Sequence, residues 1–230
     1  MFSPLTLQFL RDLRANNDRA WFEANRPRWE ADGKAPLLAF VRAFRPRLHA
    51  LSPRFLADDR STGGSAFRIH RDTRFSKDKS PYKTHVAAQF RHEAVTGAAN
   101  EVVHAPGFYC HVSPEGPGEM DGSFGGFGCW RPEGAALAAI RQRIAEMPDA
   151  WARARGALPL EGESLKRLPA GFDPAHPHAD DLRRKDFIVV RHFTEAEVVG
   201  PAFVDRYAAA AAEAGPFMKF LCEAVGLPWA

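Results

Sequence analysis

The chain has 230 residues, 45% hydrophobic and 26% charged, a balance typical of soluble globular proteins, and it is long enough to bury a core without disulfides. No apolar run approaches the ~20 residues that span a bilayer, and the start, MFSPLTLQFLRDLR, lacks the basic and apolar regions of a signal peptide, so neither a membrane partner nor secretion is expected. The formal charge is only +3, but residues 66–91 hold seven Lys or Arg against two Asp, while the remainder holds 24 basic and 26 acidic residues. The positive excess therefore lies in one ninth of the chain, which points to an anionic partner.

The N-terminal third reads as helices. Ser3-Pro4 is a cap followed by proline at the first helical position, and Leu5, Phe9, Leu10 and Leu13 then recur on one face. Asn16-Asn17 breaks this helix. A second helix, RAWFEANRPRWEADG, carries Trp21, Phe22 and Trp29, with Pro27 as a kink and Gly33 as its end. A third starts near Pro36, turns Leu37, Phe40, Val41 and Phe44 inward, and is strained at its end by Pro46.

The middle reads as strands over 66–71, 84–91, 107–113 and 119–130. Phe108, Cys110 and Val112 alternate with Tyr109, His111 and Ser113 at period two. Interior glycines in SFGGFGCW mark a bulge or a close approach of backbone or ligand. A helix over 135–147 follows Pro132, then loop and short strand over 157–172, a short helix over 179–184, and the apolar strand 186–192. Helices over 201–212 and 216–225 close the chain. No repeat or linker divides it. The expectation is one α+β domain over 1–230, an antiparallel sheet of about four to six strands packed with N- and C-terminal helices.

The chemistry concentrates in FRIHRDTRFSKDKSPYKTH, residues 67–85. Arg68, Arg71, Arg74, Lys77, Lys79 and Lys83 mix forked guanidinium donors with point charges, the combination that suits a phosphate or carboxylate. Phe67, Ile69, Phe75 and Tyr82 interleave with them and fasten the segment to the core. Arg131, Lys166, Arg167 and Lys185 join the site if the fold brings them to the same sheet end. Asn17 and Arg26 are candidates for its rim, and Tyr82, Tyr109 and Trp130 for stacking. If catalysis follows binding, His70 or Asp72 supplies the acid–base group, with the arginines stabilising developing charge.

Other constellations are weaker. His176 and His178 flank a proline in a turn, a poor chelating geometry, and no metal site is expected. No P-loop, Rossmann or GxSxG pattern is present, so no cofactor is expected. Three scattered cysteines without a CxxC suit reduced thiols in the cytoplasm. Cys110 and Cys222 read as core, and Cys129, beside Trp130, is the one candidate nucleophile.

The blocks NNDRAWFEANR (16–26), FRIHRDTRFSKDKSPYKTH (67–85), PGFYCHV (106–112), GGFGCWRP (125–132), LKRLPAGFDPAHP (165–177) and LRRKDF (182–187) resemble, in this order, the domain of unknown function 2461 family, a bacterial and fungal group. Departures are Phe127 and Cys129 within the glycine-rich block and Pro27 within the second helix. The resemblance implies that the polar blocks form one shared site, and implies no reaction. The leading expectation is a small phosphate-bearing or carboxylate ligand in a basic pocket. The alternatives are a nucleic-acid-binding surface made of the same charges, and a structural ion-pair network in which Arg71 and Arg74 are paired with carboxylates and no ligand binds. Nothing in the pattern speaks to oligomeric state.

Overall fold

The architecture comes from a computed structural model, which describes residues 1–74, 76–95, 104–118 and 120–230. Phe75, expected to fasten the basic segment, and Glu119, expected to open a strand, lie outside the described residues.

Helix α1 (Pro4–Ala15) starts where expected, with the Ser3 amide donating to Thr6 Oγ1 at 3.2 Å. Its buried stripe is Thr6, Leu7, Phe9, Leu10 and Leu13. Leu5, expected on that stripe, is 61% exposed. At ~100° per residue it sits roughly 110° round the helix from the stripe's centre. The second helix divides into α2 (Arg19–Ala24) and α3 (Arg26–Arg28), with Asp18 capping the Trp21 amide at 2.9 Å and Pro27 in the new first turn.

Gly33 does not end a helix, contrary to expectation. The chain widens into a π-helical stretch, Trp29–Lys34, and continues into α4 (Ala35–Leu51). The reason is Trp29: a Cβ on Gly33 would lie 2.4 Å from Trp29 Cε3, so the glycine makes room for the indole four residues earlier. Pro46 is carried inside α4, which runs on to Leu51.

Five strands form one antiparallel sheet: β1 (Val86–Arg91), β2 (Gly107–Val112), β3 (Ser123–Cys129), β4 (Leu160–Glu161) and β5 (Phe187–Phe193), in the order β1-β2-β3-β5-β4. The period-two pattern is obeyed. Phe90, Phe108, Cys110, Val112 and Phe127 are fully buried on one face. The ring of Phe44 from α4 meets Phe90 and Tyr207 edge-on, each at 4.9 Å. The glycines of β3 serve this packing. A Cβ on Gly125 would lie 2.7 Å from Phe127 Cζ and 2.9 Å from Tyr207 Cε2, and one on Gly128 would lie 2.1 Å from the Phe187 carbonyl oxygen. Close approach of neighbouring protein groups, not of a ligand, accounts for both.

The remaining helices among the described residues are α5 (Gly134–Glu146), α6 (Pro148–Arg155), α7 (Ala179–Leu182), α8 (Glu195–Val199), α9 (Phe203–Glu213) and α10 (Gly215–Ala224). Helix α6 lies outside the sequence expectation, although Pro148 at its first position is a start signal. Its Trp151 packs on Phe187, Phe217 and Phe220 in a second apolar cluster. No helix among the described residues is long and apolar enough to cross a membrane.

Candidate functional site

The basic segment folds as one arm of a hairpin beside β1. Phe67 N donates to Ala87 O (2.9 Å), Gln89 N to Ser65 O (2.8 Å), Lys83 N to Ile69 O (2.8 Å) and Arg71 N to Pro81 O (2.9 Å). The strand expected over 66–71 is nevertheless absent. Only two isolated bridges form, Ala66 with Ala88 and His70 with Tyr82. Four residue steps on one arm face six on the other, so the register shifts by two residues and no continuous ladder can form. The surplus residues fall between Lys83 and Ala87. Such bulges re-aim side chains.

Two of the arginines are committed. Arg71 pairs with Asp78 and bonds Ser80 Oγ, and Arg74 pairs with Asp72 at 2.6 Å. The guanidinium and backbone amide of Arg74 bring Asp72 down to about 2. A carboxylate so firmly ionised and so engaged is poorly suited to the acid–base role first assigned to it. Lys79 Nζ donates to Thr73 O at 2.9 Å. Arg68 and Lys77 are exposed and make no salt bridge among the described residues, although Arg68 adds to the lowering of Asp72.

Between this hairpin and the start of α2 lies an open cleft of about 820 Å³, lined by Asn17, Arg19, Glu23, His70, Arg71 and Lys79, among others. Asn17 builds the junction: its Nδ2 donates to Tyr82 O (3.0 Å) and its Oδ1 accepts from Tyr82 N (3.1 Å). Tyr82 is 3% exposed, stacked on Phe22 at 4.0 Å between ring centres, so it serves as the cleft's base and is closed to any nucleobase. Arg26, a candidate for the rim, turns to Glu23 instead (2.9 Å from Nε). The two acids of the lining are thus satisfied elsewhere, Glu23 by Arg26 and Asp18 by the Trp21 amide. Arg19 and Lys79 have no carboxylate partner among the described residues.

A second group lies on the sheet face opposite the helical core. His85 packs on His111, ring centres 4.2 Å apart and planes tilted by 35°, and His111 stacks on Phe124 at 4.6 Å. His111 Nε2 lies 3.1 Å from the Met120 carbonyl, to which it donates, leaving Nδ1 to accept from the Tyr109 hydroxyl at 3.2 Å. Tyr109, a stacking candidate, is therefore tied to this group. Burial pushes His85 down to about 3, with His111, Lys83 and Arg71 adding to it, and pushes His111 to about 4. Lys83 Nζ sits 5.0 Å from the Phe67 ring centre, and burial, with Arg68 beside it, lowers its ammonium pKa.

A family model described as "Conserved hypothetical protein (DUF2461)" matches residues 5–220. The chain belongs to the DUF2461 family. No curated protein and no solved structure matches it.

The remaining polar blocks of this DUF2461 chain do not converge on the hairpin. Arg131, Lys166, Arg167 and Lys185 lie toward the β4–β5 side, whereas the hairpin flanks β1 at the opposite edge. Arg131 follows β3 and Lys185 precedes β5, two and three strand spacings of ~4.8 Å from β1, so roughly 10–14 Å of separation across the sheet. Arg131 and Lys185 instead belong to a structural knot around Asp186, which is 2% exposed. Its carboxylate accepts from the Arg131 amide (2.7 Å) and the Glu163 amide (2.8 Å), holding Arg131 at a positive φ of 49°. The Arg131 guanidinium covers Trp130 at 4.7 Å, and Lys185 pairs with Glu163 at 2.8 Å. Lys166 and Arg167 are exposed.

Cys110, Cys129 and Cys222 are free and buried. Burial raises each thiol, that of Cys222 to about 12, and Cys129 Sγ donates to the His104 carbonyl at 2.7 Å. Cys129 is therefore set for packing and not for nucleophilic attack.

Sequence reasoning missed Arg19 as a cleft residue and missed the His85–His111 stack. The spacing of Lys83 and His85, two apart on an extended segment, was the available signal for the second.

Proposed function

We propose that the cleft between the start of α2 and the basic hairpin binds a small phosphate-bearing or carboxylate ligand. The observation that carries this reading is the charge state of its lining. Its acids are already engaged, while Arg19 and Lys79 face the opening without a carboxylate of their own. Arg71 and His70 stand beside them, the former oriented by Asp78 and Ser80. An exposed guanidinium and ammonium gain most from an anion that makes charge-assisted hydrogen bonds to both. Asn17 adds rigidity where the two blocks meet.

A thermal-shift panel of inorganic phosphate, phosphorylated and carboxylated metabolites, and short oligonucleotides tests this. A rise in Tm with a small anion, lost in Arg19→Gln and Lys79→Gln, is expected. No shift with any anion, or a shift indifferent to both substitutions, overturns it. A shift with oligonucleotides alone, collapsing steeply with salt, would favour an open nucleic-acid surface.

A structural reading of the same charges is favoured by the Arg71–Asp78 and Arg74–Asp72 pairs. On that reading Arg71→Gln lowers stability and changes no ligand response.

A further inference from the structure

We propose that a second cavity, separate from the cleft beside α2, binds a small phosphate ester through Arg155. This cavity, of about 420 Å³, lies where α6 meets α7 and the turn at Ser164. Its volume falls within the roughly 300–1,000 Å³ of small-molecule sites. It joins two of the polar blocks that the α2 cleft leaves out. LKRLPAGFDPAHP supplies Leu165 and Pro177, and LRRKDF supplies Arg183 and Arg184. An antiparallel bridge between Ser164 and Arg184, with Leu165 N donating to Arg183 O at 2.8 Å, holds the two blocks together. His178 Nε2, donating to Pro148 O at 3.1 Å, fastens the connecting loop to the start of α6.

The charges of the lining are unequally spent. Arg155, Arg183 and Arg184 stand there with Asp180 and Asp181, one cation more than the acids. Asp181 is 5% exposed and committed, accepting from Trp151 Nε1 at 2.8 Å and from Arg184 Nε at 3.3 Å. Arg184 spends its terminal nitrogens on Leu160 O (3.0 Å) and Glu161 O (3.3 Å). Arg183 pairs with Asp180, whose side chain is 89% exposed, and water weakens such a pair.

Arg155 is the exception. It donates no hydrogen bond among the described residues. Its Nε is shut off from solvent without a partner, 3.7 Å from the Asp181 carboxylate and beyond hydrogen-bond reach. The side chain as a whole is 35% exposed and lines the cavity. Buried donors are costly to leave unmade. An anion in the cavity supplies this guanidinium with the charge-assisted bonds that the fold withholds. The donors available to it come from three segments: Arg155 from α6, Arg183 from just after α7, and the exposed Ser164 hydroxyl from the turn. A planar carboxylate is matched by one arginine fork, whereas a phosphate offers three acceptor oxygens, one to each segment.

Phenylglyoxal, which adds covalently to guanidinium groups, tests this, with peptide mass spectrometry locating the adducts. Glycerol 3-phosphate, inorganic phosphate and acetate are the competitors. Arg155 should react in the free protein. Glycerol 3-phosphate at about ten times its Kd should slow that reaction about tenfold, while Arg153, exposed on the same helix, is unaffected. An Arg155 that does not react, or that is protected no more than Arg153, overturns the proposal. Protection by inorganic phosphate but not by the ester reduces the occupant to the free ion and overturns the ester. Protection by acetate equal to that by glycerol 3-phosphate overturns the choice of phosphate. Labelling at Arg19 reads the α2 cleft in the same samples, so either site can fail alone. In calorimetric titrations with glycerol 3-phosphate, a binding event that survives Arg19→Gln and is lost in Arg155→Gln is expected, and the absence of such an event overturns the proposal as well.

Discussion

Lowering the pH from 7 to 5 should destabilise the protein through His85 and His111. The sign follows from the direction of the shifts. An unfolded histidine titrates near ~6.5, whereas His85 is held at about 3 and His111 at about 4 in the fold. Between those values the unfolded chain binds more protons, so stability is full above pH ~6.5 and is lost as the pH falls toward the folded values. At pH 5 each ring would contribute a loss of about 2 kcal/mol, and partial exposure of His85 reduces its share, giving about 3 kcal/mol for the pair. That is a large fraction of a typical ~5–15 kcal/mol. The charged and titratable groups around the stack are Lys83, Arg71, Tyr109 and Asp121, and the carboxylates of Asp59 and Asp72, at about 2, stay ionised throughout this range. Urea unfolding at pH 7, 6 and 5, followed by the fluorescence of the five tryptophans, measures the slope. The double variant His85→Gln/His111→Gln should be weaker at pH 7 but flatter with pH. An equal slope in that variant, or no slope in the native chain, refutes the reasoning.

Three further outcomes follow from the packing. Gly33→Ala should lower stability by about 1–3 kcal/mol despite alanine's better helix propensity, because the new Cβ meets the Trp29 ring at 2.4 Å; calorimetric Tm reads it. Asn17→Ala should cost about 1–3 kcal/mol by stranding both backbone groups of Tyr82, and amide exchange should quicken at Tyr82 before the rest of the core. Asp186→Ala should cost about 2–4 kcal/mol in urea unfolding by leaving the Arg131 and Glu163 amides without an acceptor, and Asp186→Asn, which keeps one acceptor oxygen, should recover part of it.

Strands β2 and β5 were readable because Phe108, Cys110 and Val112 declare a half-buried period-two surface and Phe187–Val190 is a continuous apolar run, of which Phe187 and Val189 are buried, whereas the strand expected over 66–71 did not form. Helix caps were readable at Ser3 and Asp18 for local reasons. The π-helical stretch was not, because glycine before a proline is the ordinary stop signal, and only the position of the Trp29 ring converts Gly33 from an end into a passage. The same limit applies to the site. Charge type and clustering are local, so the basic segment stood out. Convergence is a tertiary property, and LRRKDF reads as a cationic patch until Asp186 is seen holding two loops and Arg184 is seen bonded to Leu160 O at 3.0 Å. Arg19 was passed over because its neighbours Asn17 and Asp18 make the block look like a helix start, which it also is.

The hairpin separates what its composition runs together. Removing the ion pairs of Arg71 and Arg74 leaves Arg68, Lys77, Lys79 and Lys83 as cations without a salt bridge among the described residues, with Arg19 added from α2. A continuous ladder between residues 66–71 and 82–88 would have paired more backbone groups, and the chain forgoes it in the stretch where these cations stand. Departures of this kind concentrate where function competes with regularity. The register shift divides the surplus between two places: His70 and Tyr82, bridged to each other, line the cleft beside α2, while Lys83 and His85 turn to the opposite sheet face.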